Sequence, residues 1–179
     1  MSVYTDYTSD QQRLLIQAIG AAAIVVSAAS PGSKADTVSE GFAAASYVLD
    51  SLDAHVGNPL VTSIIVAIRD RLAAEEAFPD YVKVATAPDA ASRARGLLTS
   101  VADLVDAHAP AEEAIGFKQW LVHVANVTAN GAVEDRGFLG FGGVQVNDAE
   151  RAAIAEVGRL LGLTAGSGTS PDKPGQSPR

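Results

Sequence analysis

Alanine is the residue that most constrains how this chain folds. Apolar residues make up 47% of its 179 residues but aromatic residues only 6%, so small aliphatic side chains dominate the apolar part. Alanine has the highest helix propensity and a low preference for strands. With charged residues at 19%, the chain is typical of globular rather than disordered proteins. The composition therefore predicts an all-α protein built from closely packed helices.

The longest apolar stretch lies near the N-terminus, where residues 14–30 read LLIQAIGAAAIVVSAAS. A secretion signal has a short positively charged segment in front of its apolar part, whereas the residues before this one are polar and acidic. A membrane span needs about 20 apolar residues, and Gln17 and Ser27 interrupt this stretch. We therefore expect no membrane span, but a helix from about Ser9 to Ala29 that is buried all round.

Capping residues indicate where the other helices begin. A helix starts well where a side-chain oxygen accepts from a free amide and an acid or amide three residues on returns the bond. Ser9 with Gln12 has this spacing before the first helix. Later starts are predicted at Thr37 with Glu40, at Asn58 with Pro59, at Asp89, at Pro110, and at Asn147 with Glu150.

Breaks in the apolar periodicity set the helix ends and the extent of the domain. The fourth helix is predicted to end near His108, the fifth at Asn130–Gly131 and the sixth at Gly162. The sequence thus predicts a compact bundle of about six helices over residues 9–163. Residues 1–8 are predicted to be a flexible N-terminus, and residues 164–179 a disordered tail without apolar periodicity.

Two segments at opposite ends of the chain echo each other. TVSEGFAAASYVL (37–49) and NDAERAAIAEVGRLL (147–161) share a capping residue, a glutamate three residues later and alanine-spaced apolar positions. Each follows a buried helix and a glycine-containing loop. The pattern predicts two pseudo-repeated helix–loop–helix units at the ends of the bundle.

This layout resembles the TerB-like family of bacterial tellurite-resistance proteins. The C-terminal unit, FKQWLVHVANVTANG followed by VQVNDAERAAIAEVGRLLGL, is the more specific match, and AAAIVVSAASPGSKADTVSEGFAAASYVL is the N-terminal counterpart. Family members have an acidic ADG-type loop, where this chain has ANG with Asn130. The resemblance implies a helical stress-response module, with cation binding through loop acids.

Acidic residues surround both predicted loops. Asp36 and Glu40 flank one helix start, and Asp148 and Glu150 flank the other. Calcium and magnesium prefer several converging carboxylate and carbonyl oxygens, so these four residues are the candidate ligands of a divalent cation. The alternative is that Glu40 and Glu150 are capping-box acids and that the others are solvated.

A glycine-rich stretch, GFLGFGG, occupies residues 137–143. A phosphate-binding loop follows a strand and, in its triphosphate form, ends in lysine, whereas this stretch follows a predicted helix and lacks that lysine. Its apolar residues suit a structural plug over the core, or a lid or docking loop. A pocket beneath it, lined by Phe138, Phe141, Trp120 and His123, is the basis for an alternative function as a small-ligand binder or enzyme.

Charge and composition narrow the choice of function. The net charge of −8 and the pI near 4.7 oppose binding to a phosphate backbone, so no nucleic-acid partner is expected. The chain has no cysteine, which excludes disulfides and thiolate metal sites. No strong catalytic motif is present. We therefore expect a cytoplasmic, non-catalytic interaction module that binds protein partners or itself, with calcium or magnesium as the candidate cofactor.

Overall fold

A computed structural model describes residues 1–29, 44–50, 57–76, 87–134 and 147–163. It confirms an all-α bundle, and no strand occurs in these ranges. A 3₁₀ turn at Tyr4–Asp6 precedes six α-helices. These helices are α1 (Ser9–Ala29), α2 (described only over residues 44–50), α3 (Pro59–Ala73), α4 (Ala87–His108), α5 (Ala111–Glu134) and α6 (Asp148–Leu160).

Helix α1 is the centre of the bundle. It packs against α3, α4, α5 and α6. Its fully buried side chains lie on one face, and no residue between positions 14 and 27 is exposed. By length and composition alone this helix would also pass as a membrane span, but here its apolar face lies in the core. The prediction that this helix is buried all round was wrong in one respect, because the face opposite the core is only partly buried.

One contiguous hydrophobic core receives side chains from all six helices. Alanines line much of the contact between α1 and its neighbours, and small side chains allow the helix backbones to approach closely. The largest side chains with essentially no exposed surface are Phe117, Leu15, Leu60, Ile64, Ile65, Leu98, Leu121 and Leu161.

Two predicted helix starts and one predicted end are confirmed by hydrogen bonds. The Asn58 Oδ1 accepts from the Val61 amide at 3.2 Å, with Pro59 as the first residue of α3. Asn147 caps α6. After α6 the chain turns at Gly162, whose φ is +72°. The amide of Leu163 donates to the Gly158 carbonyl at 2.8 Å, which satisfies a carbonyl that the helix itself leaves free.

Two other helix starts differ from the prediction. The cap of α1 is Thr8, whose amide donates to the Gln11 Oε1 at 2.9 Å, while Thr8 Oγ1 accepts from the Gln11 amide at 3.4 Å. Thr8 with Gln11 and Ser9 with Gln12 have the same spacing, so the sequence is compatible with a cap at either residue. Helix α4 already begins at Ala87, so Asp89 lies in its first turn and is not its cap.

Helix α5 does not end at Asn130–Gly131, as predicted, but continues to Glu134. Polar side chains in this region bond to carbonyls one turn back instead of breaking the helix: Asn130 Nδ2 donates to the Asn126 carbonyl at 2.9 Å, and Thr128 Oγ1 to the Val124 carbonyl at 2.9 Å. Gly131 is buried. Tertiary packing thus overrides the local turn signal of the Asn–Gly pair.

The N-terminal residues make contacts that the sequence patterns did not predict. Tyr4 and Tyr7 are buried. The Tyr4 amide donates to Ser63 Oγ at 2.8 Å, and the Ser2 amide donates to Glu113 Oε2 at 2.7 Å. These bonds place residues 2–7 against α3 and α5.

Several predictions concern residues outside the described ranges. They include the cap at Thr37, the disordered tail at 164–179, and the equivalence of the two end units, whose residues 30–43 and 135–146 lie outside the described ranges. These remain predictions.

An ion pair joins α4 to α6. Arg95 Nε donates to Glu156 Oε1 at 2.8 Å, and its Nη2 donates to Glu156 Oε2 at 3.3 Å. The hydrogen bond from Arg95 is the main cause that lowers the pKa of Glu156, and burial acts in the opposite direction. The side chains are 41% and 30% exposed, so the pair is worth only about 0.5–1 kcal/mol.

We expect the substitution Glu156→Gln to lower the free energy of unfolding by that amount at neutral pH. Because the folded-state pKa of Glu156 is lowered, its contribution is present above the ordinary pKa of 4.5 and is lost as the pH falls through the folded-state pKa. The difference between the parent and Glu156→Gln should therefore shrink below about pH 4.5. Urea unfolding at a series of pH values measures it, and a difference that does not vary with pH would contradict the assignment.

Candidate functional site

The four candidate cation ligands are not all described. Asp36 and Glu40 lie outside the described residues. Glu150 is 8% exposed and belongs to a capping box: its Oε2 accepts from the Asn147 amide at 2.9 Å, and Asn147 Oδ1 accepts from the Glu150 amide at 2.9 Å. Asp148 points into solvent and forms an ion pair with Arg151. The capping interpretation of Glu150 is therefore confirmed.

Within the described ranges, no three or more His, Asp or Glu side chains converge as a metal site would require. The acid-rich loop that the resemblance implies near Asn130 coincides with the helical interior of α5. Cation binding by Asp36, Glu40, Asp148 and Glu150 remains a prediction.

The role of Glu150 can be tested by comparing it with its capping partner. We expect Glu150→Ala and Asn147→Ala each to lower the free energy of unfolding by about 1 kcal/mol, because each breaks the same capping box. Calorimetric titration with calcium should give the same heat for both variants. If the heat is lost in Glu150→Ala and kept in Asn147→Ala, Glu150 is a cation ligand as well as a cap.

Four residues were predicted to line a pocket beneath residues 137–143. Only Trp120 and His123 are described, since Phe138, Phe141 and that segment lie outside the described residues. Trp120 is 3% exposed and packs against Phe117, with ring centroids 6.1 Å apart. His123 is exposed, and its ring lies 4.9 Å from that of Tyr47 on α2. The two side chains therefore lie in different surroundings, one in the core and the other at the surface.

A surface that the sequence did not single out lies between the N-terminal 3₁₀ turn and α3. We call it the α3 groove. It is an open, mainly apolar depression with a volume of about 570 Å³. It is lined by Val3, Tyr4, Thr5, Gly57, Pro59, Thr62, Ser63, Val66, Ala67 and Asp70.

The two walls of the α3 groove are held together by backbone and hydroxyl contacts. Ser63 Oγ accepts from the Tyr4 amide at 2.8 Å and donates to the Leu60 carbonyl at 2.9 Å. The Tyr4 hydroxyl oxygen is buried and has no well-formed hydrogen bond to any described residue. Burial raises the pKa of Tyr4, and the charge of Arg71 opposes that shift. The two hydrogen bonds of Ser63 hold the N-terminal turn against α3 and give the groove a preformed shape.

Val66 contributes an exposed apolar side chain to the α3 groove. Thr62, Val66 and Asp70 follow at steps of four along the outer face of α3, and all three are exposed. Val66 is 42% exposed, although a surface helix normally presents polar residues on this face. A valine between two polar residues at this spacing was the signal in the sequence. The groove also depends on which face of α3 is buried and on the position of Val3–Thr5 beside it, and the sequence pattern shows neither.

No family model, curated protein or solved structure matches this chain.

Proposed function

We propose that this chain is a non-catalytic interaction module of the TerB-like, bacterial stress-response kind, and that it docks a protein partner in the α3 groove. The observation that carries the proposal is the open apolar groove with Val66 42% exposed at its edge. Contact between the Val66 side chain and water is unfavourable. Burying that side chain against a partner's apolar surface would stabilise the complex by about 25 cal/mol per Å² of apolar area removed from water.

The structure of the groove suits recognition more than catalysis. Its lining is contributed by α3 and by a turn that is hydrogen bonded to it. Surfaces that are shaped before binding lose little conformational entropy when a partner docks. The divalent cation implied by the resemblance remains part of the proposal, and calorimetric titration of the unsubstituted protein with calcium tests it, because an absence of heat would contradict it.

Site-specific photo-crosslinking tests the docking proposal. A photoreactive amino acid placed at Thr62 or Val66 should form a covalent adduct of defined mass when cells that express the protein are irradiated. The same amino acid at the exposed Thr99 of α4 should form no such adduct. The adduct from position 62 should disappear when Val66 is also replaced by glutamate, because a charge there opposes apolar docking. Equal adducts at positions 62 and 99, or none, would contradict the proposal.

A further inference from the structure

We propose that the partner segment which docks in the α3 groove presents an aliphatic side chain beside an arginine or a lysine. The inference rests on the proposed docking function and specifies the chemistry of the partner. Its basis is Asp70, which lines the groove one helical turn after Val66 and is exposed.

The carboxylate of Asp70 is available to a partner. It forms no ion pair with any residue in the described ranges, and its two arginine neighbours are directed elsewhere. Arg69 Nη2 donates to the Leu49 carbonyl at 2.7 Å, and Arg71 Nη1 lies 3.8 Å from Glu76 Oε2. The positions three and four residues from Asp70 on α3 hold valine or alanine, so no cation reaches it along the helix either.

An apolar surface with a free carboxylate at its edge is complementary to a segment with both features. The aliphatic side chain of the partner would cover Val66 and Ala67, and its cation would pair with Asp70 at the rim. The pair would lie at the solvent-exposed rim, where the attraction between the two charges is modest and adds specificity to the apolar contact. Bidentate pairing favours arginine over lysine.

A second copy of this chain is a poorer occupant of the groove. Each copy carries a net charge of −8, so two copies repel each other at low ionic strength. The same charge opposes anionic lipid surfaces and nucleic acids. A basic protein segment is attracted by that field and is then oriented by Asp70.

Amide chemical shifts measured during titration with two small probes test the inference. The probes are N-acetyl-leucyl-arginine amide and N-acetyl-leucyl-citrulline amide, which have nearly the same shape but differ in charge. We expect the arginine probe to perturb amides of residues 60–70 and to bind at least fivefold more tightly than the citrulline probe. Adding sodium chloride should reduce this preference, since the rim is exposed to solvent.

Matched variants separate Asp70 from the overall charge. Asp70→Asn should abolish the preference for the arginine probe, whereas Asp103→Asn, an equal change at an exposed site on α4, should leave it intact. Equal binding of both probes in the groove would overturn the basic-partner inference and leave the docking function standing. Shifts elsewhere, no binding at millimolar concentration, or concentration-dependent self-association through the groove would also overturn the inference.

Discussion

Gly116→Ala is expected to lower the free energy of unfolding by about 2 kcal/mol, although alanine is the better helix former by about 1 kcal/mol. A Cβ at position 116 would lie 2.5 Å from Asn58 Nδ2, which is far inside contact distance. Asn58 is 7% exposed and cannot move freely, because its Nδ2 donates to the Glu113 carbonyl at 2.7 Å while its Oδ1 caps α3. Displacing it would cost the cap and a buried hydrogen bond.

Two comparisons isolate this mechanism in urea or thermal unfolding. Gly96→Ala makes the same change inside α4, where a new Cβ would meet no atom within 4 Å. It should stabilise the protein by about 1 kcal/mol. In an Asn58→Ala background, Gly116→Ala should likewise become stabilising, because the obstructing amide is gone. If Gly116→Ala is neutral in the parent, or equally harmful in both backgrounds, the contact between Asn58 and Gly116 does not control this junction.

Asp106→Ala is expected to cost about 2 kcal/mol, more than the removal of its own partner, Lys118. Lys118 is 4% exposed, and its Nζ donates to Asp106 Oδ2 at 2.6 Å, whereas the Asp106 side chain is 58% exposed. Loss of the aspartate leaves a buried ammonium without its partner. Replacing the lysine by methionine keeps the buried volume and leaves a carboxylate that water can solvate.

The asymmetry between the two partners is the quantity to measure. Lys118→Met should lower the free energy of unfolding by less than about 1 kcal/mol. Asp103→Ala, one turn earlier on α4 and exposed, should change it by no more than about 0.5 kcal/mol. If Asp106→Ala proves as mild as Asp103→Ala, the ammonium of Lys118 is adequately stabilised without Asp106. One available contribution is the C-terminal end of α6, since a Cβ at Gly162 would lie 3.9 Å from Nζ.

The candidate site was harder to predict than the fold. The sequence directed attention to loop acids and to a glycine-rich loop, because those residue types carry cation and phosphate chemistry. The structure shows Glu150 in the capping box that the sequence offered as the alternative, Trp120 in the core and His123 beside Tyr47 at the surface. The other candidate residues of the loops lie outside the described ranges, apart from Asp148. The α3 groove depends on residues about 60 positions apart, and no local pattern links Tyr4 to Ser63.

What the sequence by itself determined is the class and much of the layout. Alanine-rich segments with apolar residues at steps of three and four can bury one face only as helices, and this local property placed α1, the cap of α3 and both ends of α6 correctly. Those features depend on bonds within a few residues of each other. They can therefore be predicted without knowing which other helices pack nearby.

Tertiary structure decided the features that depend on neighbours. Asn130 and Gly131 continue α5 as helix because the packed end of that helix outweighs a local turn preference of about 1 kcal/mol. Tyr4 and Tyr7 are ordered by contacts with distant elements, and Asn58 bridges α3 to α5 through a carbonyl 55 residues away. Burial and hydrogen bonding between distant segments are set by the whole packing arrangement, which local periodicity does not specify.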